Sequence, residues 1–300
     1  MLRFIMRVPA IFLTMLVVGA PGLPAFGQGA DPAVSTASVS SSAAPPARES
    51  HWRLGAAFGY GVRTNPLIQS EDIPVIVDLD VAWFGKRWFF DNGDVGYTLF
   101  DRPASTTSLV ARVNSDRVFF GKTNTRYVNF AYAGSGATAP LPPDAQMNQP
   151  VEVKVPDRDY AVELGVESLI DGDWGAATLR AFQDVSGTHG GYELSAYVSR
   201  RWTAGRLSIA PTVGVSYKSA SLNDYYWGVD PDEANEALPE YQAGGGFGFE
   251  GGLQANYYLR RNLRLAVSLN YERLVDEVAA SPLAEDDYVF GWYSGLAWTF

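Results

Sequence analysis

Three sets of residues in this 300-residue chain have the types that could do chemistry. The first is Asp184, Ser186 and His189, a carboxylate, a hydroxyl and an imidazole in one short stretch. Such a trio serves nucleophilic catalysis when the imidazole takes the hydroxyl proton and the acid orients the imidazole. Crowded together with Gly187, Gly190 and Gly191, the three are expected to do turn chemistry instead. Asp184 and Ser186 would then bond local backbone N–H groups. A surface hydrolase using His189 stays as the weakest alternative. The second set is Asp230, Asp232, Glu233 and Glu236, oxygens that a calcium ion could use if six or more converged. The same letters begin a helix, with Asp230 as N-cap, Pro231 at its first position and Glu233 completing a capping box. That second reading is preferred. The third set, Glu285-Asp286-Asp287, reads as solvated surface. No catalytic residue, no cofactor and no metal is therefore assigned.

Composition removes whole classes of function. The chain has no Cys and two His, His51 and His189. A disulfide scaffold, thiol catalysis, cysteine-ligated zinc and a histidine-rich metal site are all excluded. A formal charge of −10 argues against a nucleic-acid partner, which calls for a basic face. Aromatics are abundant at 13% and charged residues sparse at 19%, below the usual ~25%.

The elements that must position these groups show a period of two. Trp52, Leu54, Ala56, Phe58, Tyr60 and Val62 alternate with Arg53, Gly55, Ala57, Gly59 and Gly61. Ile73, Val75, Val77, Leu79, Val81 and Trp83 make another apolar face, opposed by Asp78 and Asp80. The same alternation recurs around 160–166, 192–202, 207–217, 247–257 and 263–271. Each stretch has about the ten residues that cross a bilayer at a tilt. With weaker segments included, twelve strands are expected: 52–62, 73–84, 87–99, 105–113, 117–132, 158–168, 174–184, 190–202, 206–218, 244–258, 262–274 and 287–300. The connections 85–86, 114–116, 169–173, 203–205 and 259–261 are short. Those at 63–72, 100–104, 133–157, 185–189, 219–243 and 275–286 run from five to 25 residues. Short turns on one side and long loops on the other mark an outer-membrane barrel with periplasmic termini. The fold class is thus all-β, a transmembrane antiparallel β-barrel of about twelve strands occupying 51–300. Outer-membrane lipid is its first partner.

Residues 1–27 have the layout of a signal peptide, with Arg3 and Arg7 before the apolar run Val8 to Ala20. Residues 28–50, rich in Ala, Ser and Pro, are expected to form a disordered periplasmic tail. Trp52, Trp83, Trp88, Trp174, Trp202, Trp227, Trp292 and Trp298 lie near strand ends, where interface girdles belong. Charges in the strands must point inward, because a charge on the lipid face costs about 2–4 kcal/mol at mid-depth. Asp78, Asp80, Glu163, Glu167, Glu193, Glu250, Arg264 and Glu272 are the lumen-facing set, joined by Arg53, Arg112 and Arg180. A lumen with both signs could pass small solutes or close itself as a network. Loops 133–157 and 219–243 are long enough to fold in over it.

The C-terminal half resembles the MipA/OmpV family of outer-membrane proteins. The matching stretches begin with Gln183 to Gly191 (QDVSGTHGG) and Ile209 to Tyr217 (IAPTVGVSY). Asp224 to Ala234 (DYYWGVDPDEA), Leu238 to Gly246 (LPEYQAGGG), Ser281-Pro282-Leu283 and the closing strand follow. In the N-terminal half Val95 to Asp101 (VGYTLFD) is similar, and residues 133–157 look like an insertion. The resemblance implies a non-enzymatic barrel of the cell envelope. It also implies a scaffold linked to peptidoglycan-remodelling enzymes, with a murein hydrolase or peptidoglycan synthase as partner. The alternative is a passive channel for small polar solutes. A last strand carrying Trp298 and ending on Phe300 resembles the signal by which the barrel-assembly machinery recognises its clients.

Overall fold

The computed structural model describes residues 50–120 and 155–300. The expected signal peptide 1–27, the tail up to residue 49 and most of loop 133–157 lie outside the described residues.

The chain forms a closed, twelve-stranded antiparallel barrel. Its wall elements are β1 (His51–Arg63), β2 (Ile73–Phe84), β3 (Trp88–Asp91), β4 (Asp94–Arg102), β5 (Ser105–Val113) and β6 (Val162–Gly172). They continue with β7 (Gly175–Asp184), β8 (Tyr192–Ser199), β9 (Trp202–Ala204), β10 (Leu207–Lys218), β11 (Gly246–Arg260), β12 (Leu263–Arg273) and β13 (Tyr288–Thr299). β8 and β9 both pair with β10 and act as one interrupted strand. Every strand pairs with its neighbour in sequence, and the sheet closes where β1 meets β13. At that seam Gly59 faces Gly295. A Cβ on Gly295 would stand 2.7 Å from the Phe58 carbonyl oxygen and 2.9 Å from Gly59 Cα, so glycine is required for the two strands to approach.

Twelve strands are reached by a different route from the one the sequence suggested. The expected strand 87–99 is two strands, divided at Asn92 (φ 49°) and Gly93 (φ 110°). Positive φ at both central residues is the geometry of a tight hairpin turn, which Asn-Gly favours. The expected strand 117–132 begins instead as a 3-10 helix, Asp116–Phe120, and its remainder lies outside the described residues. Consequently the turn near 103–104 belongs to the short-turn side, and β5 and β6 are separated by residues 114–161, of which 121–154 lie outside the described residues. The face of β2 also changes parity: a bulge between Phe58 and Gly61 puts Val77 opposite Phe58 but Val75 opposite Gly61.

The apolar side chains of the wall point outward, as lipid requires. Trp52, Phe58, Leu79, Val213 and Phe249 are exposed in the protein alone. The main hydrophobic core lies elsewhere, in the long loops at one end of the barrel. Leu67, Phe119, Phe120, Leu222, Tyr226, Trp227, Val229 and Leu238 pack there with Leu274, Val275, Val278 and Leu283. Two helices contribute, α1 (Ala220–Trp227) and α2 (Asp276–Ala279). Trp227 is therefore a core residue, 1% exposed, and not a girdle residue as its place in the sequence suggested. Phe120 meets its ring edge-on at 5.4 Å. The Ser281 hydroxyl donates to the Trp227 carbonyl at 2.5 Å, and Asn223 Nδ2 donates to the Gly244 carbonyl at 2.8 Å. We call this assembly the loop cap.

Candidate functional site

The register sorts the charged side chains onto one face. Glu163 lies opposite Arg112 and Asp184, Glu167 opposite Arg180, Glu193 opposite Lys218, and Glu250 opposite Glu272. Asp78 and Asp80 lie opposite Ala57 and Gly55, and Arg264 opposite Tyr258 and Ala297. Because residues paired across antiparallel strands share a face, all of these sit on the side away from Phe58, Leu79 and Val213.

They form three levels. Directly under the cap, Arg112 donates from Nε to Glu163 and from Nη2 to Glu193, each at 2.8 Å. Its guanidinium lies 3.9 Å from the Phe182 ring centroid, spanning β5, β6 and β8 over an aromatic floor. Asn114 Nδ2 gives Glu163 a further bond at 2.7 Å, and that carboxylate is fully buried. Beside this triad, Lys218 Nζ donates to both Asp116 oxygens at 2.9 Å and stands 3.8 Å from Glu272. At mid-height Arg180 pairs with Glu167 at 2.6 Å, and the Tyr197 hydroxyl donates to Glu250 at 2.9 Å. Near the short turns, Arg53 joins Asp80 and Asp91, each at 3.1 Å, while Arg264 bonds Asn256 and Thr299, each at 3.0 Å.

The sequence singled out most of these charged groups but not Asp91, Asp116 or Lys218, nor the amide of Asn114. A signal existed for Lys218, which continues the parity of the small residues Gly214 and Ser216. Asp116 enters from the 3-10 helix and has no strand parity to betray it.

The Asp184–Ser186–His189 cluster is a braced turn. Asp184 accepts from the backbone N–H groups of Ser186, Gly187, His189 and Gly190 at 2.7–3.2 Å and from the Ser186 hydroxyl at 2.6 Å. His189 Nδ1 accepts from Gly191 N–H at 2.9 Å, and Nε2 faces Glu163 at 3.4 Å. The Ser186 hydroxyl is turned to Asp184 and Thr188 rather than to the imidazole. The carboxylate thus holds the backbone of the turn, and the imidazole lends its second nitrogen to the charge level below.

Asp230 to Glu233 do not start the expected helix. They close one hydrogen-bonded turn, with Glu233 N–H on the Asp230 carbonyl and Asp230 N–H on the Glu233 carboxylate. The helix of this loop is α1, upstream, and Val229, next to the turn, forms a bridge with Tyr241. Glu233 is held by Arg158, two nitrogens on two oxygens at 2.6 and 2.9 Å. Those charge-assisted bonds keep the Glu233 carboxyl below its ordinary value of 4.5. Burial in the cap pushes the Tyr226 hydroxyl above the usual phenol range. Among the described residues no group of three or more His, Asp or Glu side chains is gathered to hold a metal ion.

Comparison with known proteins gives this architecture its relatives. The family model for MltA-interacting protein MipA matches residues 40–300. The chain is 28% identical to outer membrane protein Omp26La of Vibrio anguillarum over 43% of its length and 50% of that protein's. It is 27% identical to outer membrane protein OmpV of Vibrio cholerae over the same shares. With the MltA-interacting protein of Escherichia coli K12 it shares 30% identity over 33% of its own length and 41% of that protein's. The chain thus spans about half the length of the curated relatives it matches. Among solved structures, the NanC porin is similar with a TM-score of 0.40 and 9% identity, covering 83% of this chain and 100% of that one.

Proposed function

Since the chain belongs to the MltA-interacting protein MipA family of outer-membrane β-barrels, we propose that it is a non-enzymatic scaffold of the cell envelope. In this reading it links the outer membrane to peptidoglycan-remodelling enzymes, a lytic transglycosylase such as MltA or a peptidoglycan synthase. The observation that carries the reading is the loop cap. Fourteen buried apolar residues pack over the charged lumen at the end with the long loops, and Arg112 and Lys218 are neutralised by carboxylates just beneath. A wall braced in this way serves as a rigid mount. The relative named for its interaction with MltA supports the choice of partner.

The test has two arms. Planar-bilayer recording of the purified full chain is expected to give no discrete openings. Crosslinking in native envelopes, followed by purification, is expected to recover a murein hydrolase or synthase. Stepwise conductance with no such partner would replace the scaffold by a passive channel for small polar solutes.

Assembly is the second part of the proposal. Trp298 sits on the outward face opposite Ala56 and Leu263, 45% exposed, and Phe300 is 80% exposed with its N–H on the Leu54 carbonyl. An accessible aromatic end on the strand that closes the barrel suits recognition by the barrel-assembly machinery. Replacing Phe300 by Ala is expected to slow insertion in cells while leaving the refolded barrel equally heat-resistant. Unchanged insertion would remove Phe300 from that role.

A further inference from the structure

Charge is unevenly spread over the two ends of the barrel. Three of the long connections, 64–72, 219–245 and 274–287, carry Asp and Glu and not one Lys or Arg, while 114–161 carries both signs. Two neighbouring short turns are the reverse, while the short turn between β6 and β7 carries Asp173. Arg200 stands at the break between β8 and β9, Arg206 in the turn before β10, Arg260 at the end of β11 and Arg261 in the turn that follows. All four are exposed, and no acid occurs in 199–209 or 257–265. The two turns are neighbours, tied by the Tyr258 N–H on the Arg206 carbonyl at 2.8 Å. Four guanidinium groups are therefore gathered on one arc of the periplasmic rim.

That arc borders the membrane. Arg200 leans over the Trp202 ring, 5.7 Å from its centroid, and Trp202 is 51% exposed. Below the arginines, Leu207 faces Tyr257, and Tyr257 faces Leu265, forming an apolar strip along the wall. Cations at headgroup height above such a strip match a lipid with a negative head and two tails.

We propose that this arc is a binding site for an anionic phospholipid of the inner leaflet. Its phosphate would lie among Arg200, Arg206, Arg260 and Arg261, and its acyl chains along Leu207, Tyr257 and Leu265. Arginine suits the task, because its planar fork takes phosphate oxygens in pairs. Near a membrane surface each basic residue contributes about a fivefold preference for anionic lipid. An acidic protein would not need the apolar strip.

The test uses the full chain in nanodiscs of equal phosphatidylglycerol and phosphatidylcholine, released and weighed by native mass spectrometry. The lipid kept by the protein is expected to be enriched at least tenfold in phosphatidylglycerol, a minimum set from the per-residue preference. The variant R200Q/R206Q/R260Q/R261Q is expected to retain both lipids equally, and the same four positions as Lys to keep most of the enrichment. Heat-modifiable migration on gels verifies that each variant is a folded barrel. K86Q/R87Q, on the turn between β2 and β3, is the control and should keep the enrichment. Equal retention of both lipids by the unaltered protein overturns the proposal. So does enrichment that survives the fourfold Gln change, or that is lost equally in the control. Capture of an acidic periplasmic protein by the arc, without lipid preference, overturns it in favour of a protein site.

Discussion

The cap buries Trp227, Tyr226, Leu222 and Leu238 against one another, whereas the wall beneath it buries Glu163, Arg112 and Lys218 and turns its Phe, Leu and Val outward. Two interiors of opposite chemistry thus lie a few residues apart on the same strands. The cap obeys the rule of water-soluble proteins, since its outer surface meets water and only its middle is dry. The wall obeys the lipid's rule, and its polar groups are sheltered inside where each must find a partner. Stability in the first comes from apolar area, and in the second from completeness of pairing.

The difference is open to direct attack. The largest effect is expected from Arg112→Ala, which leaves the fully buried Glu163 and its neighbour Glu193 without their shared cation. Breaking a buried pair from one side costs about 3–5 kcal/mol. The melting of the whole barrel, followed by heat-modifiable gel migration, should fall accordingly. A loss of under 1 kcal/mol would mean that the wall does not depend on pairing.

Next in size is Trp227→Ala, expected to cost about 3 kcal/mol, and only in the cap. Limited proteolysis from outside should then cut residues 219–245, while the wall remains resistant to heat and detergent. If the barrel melts together with the cap, the two interiors are one cooperative unit. Gly295→Ala probes the seam between β1 and β13, where the added methyl would press on Phe58 and Gly59. Overpacking of this kind costs about 1–3 kcal/mol and should be read as faster unfolding in urea.

The smallest effect belongs to Glu233→Gln, about 1 kcal/mol, from loss of charge in its forked bond to Arg158. The pH dependence has a definite sign. Glu233 titrates lower in the folded cap than its ordinary 4.5, so its contribution is full above that value and drains away as acid drives pH through the lowered one. Protection of the cap amides from hydrogen exchange, taken relative to the intrinsic rate at each pH, should fall below pH 4.5 in the native protein and change less in the variant.

The two interiors were not equally legible in the sequence. Alternation locates β1, β10, β11 and β12, because lipid on one side and water on the other impose a period of two. It also puts Glu163, Glu193 and Glu272 on the lumen face before any partner is known. Which partner each takes depends on register, and a single bulge at Phe58 suffices to break the parity of β2. The division of 87–99 had a visible cue in Asn92-Gly93, outweighed by the aromatics on either side. The cap offered no comparable pattern. Its apolar residues come from four loops without a common period, and α1 is too short for helical spacing to stand out. Asp230-Pro231-Asp232-Glu233 carried every letter of a helix start, yet it closes a single turn beside the Val229–Tyr241 bridge.

The composition of the cap also fixes an order of events. Asn65 meets Phe119, Ile68 bonds the Leu283 carbonyl, and Phe290 N–H reaches the Thr64 hydroxyl across 226 positions of chain. The last two join chain beside the first strand to chain beside the last, and come within reach only when those strands have found each other. The cap is therefore a sign of circularisation: its bonds between the first and last loops can form only on a ring that has closed.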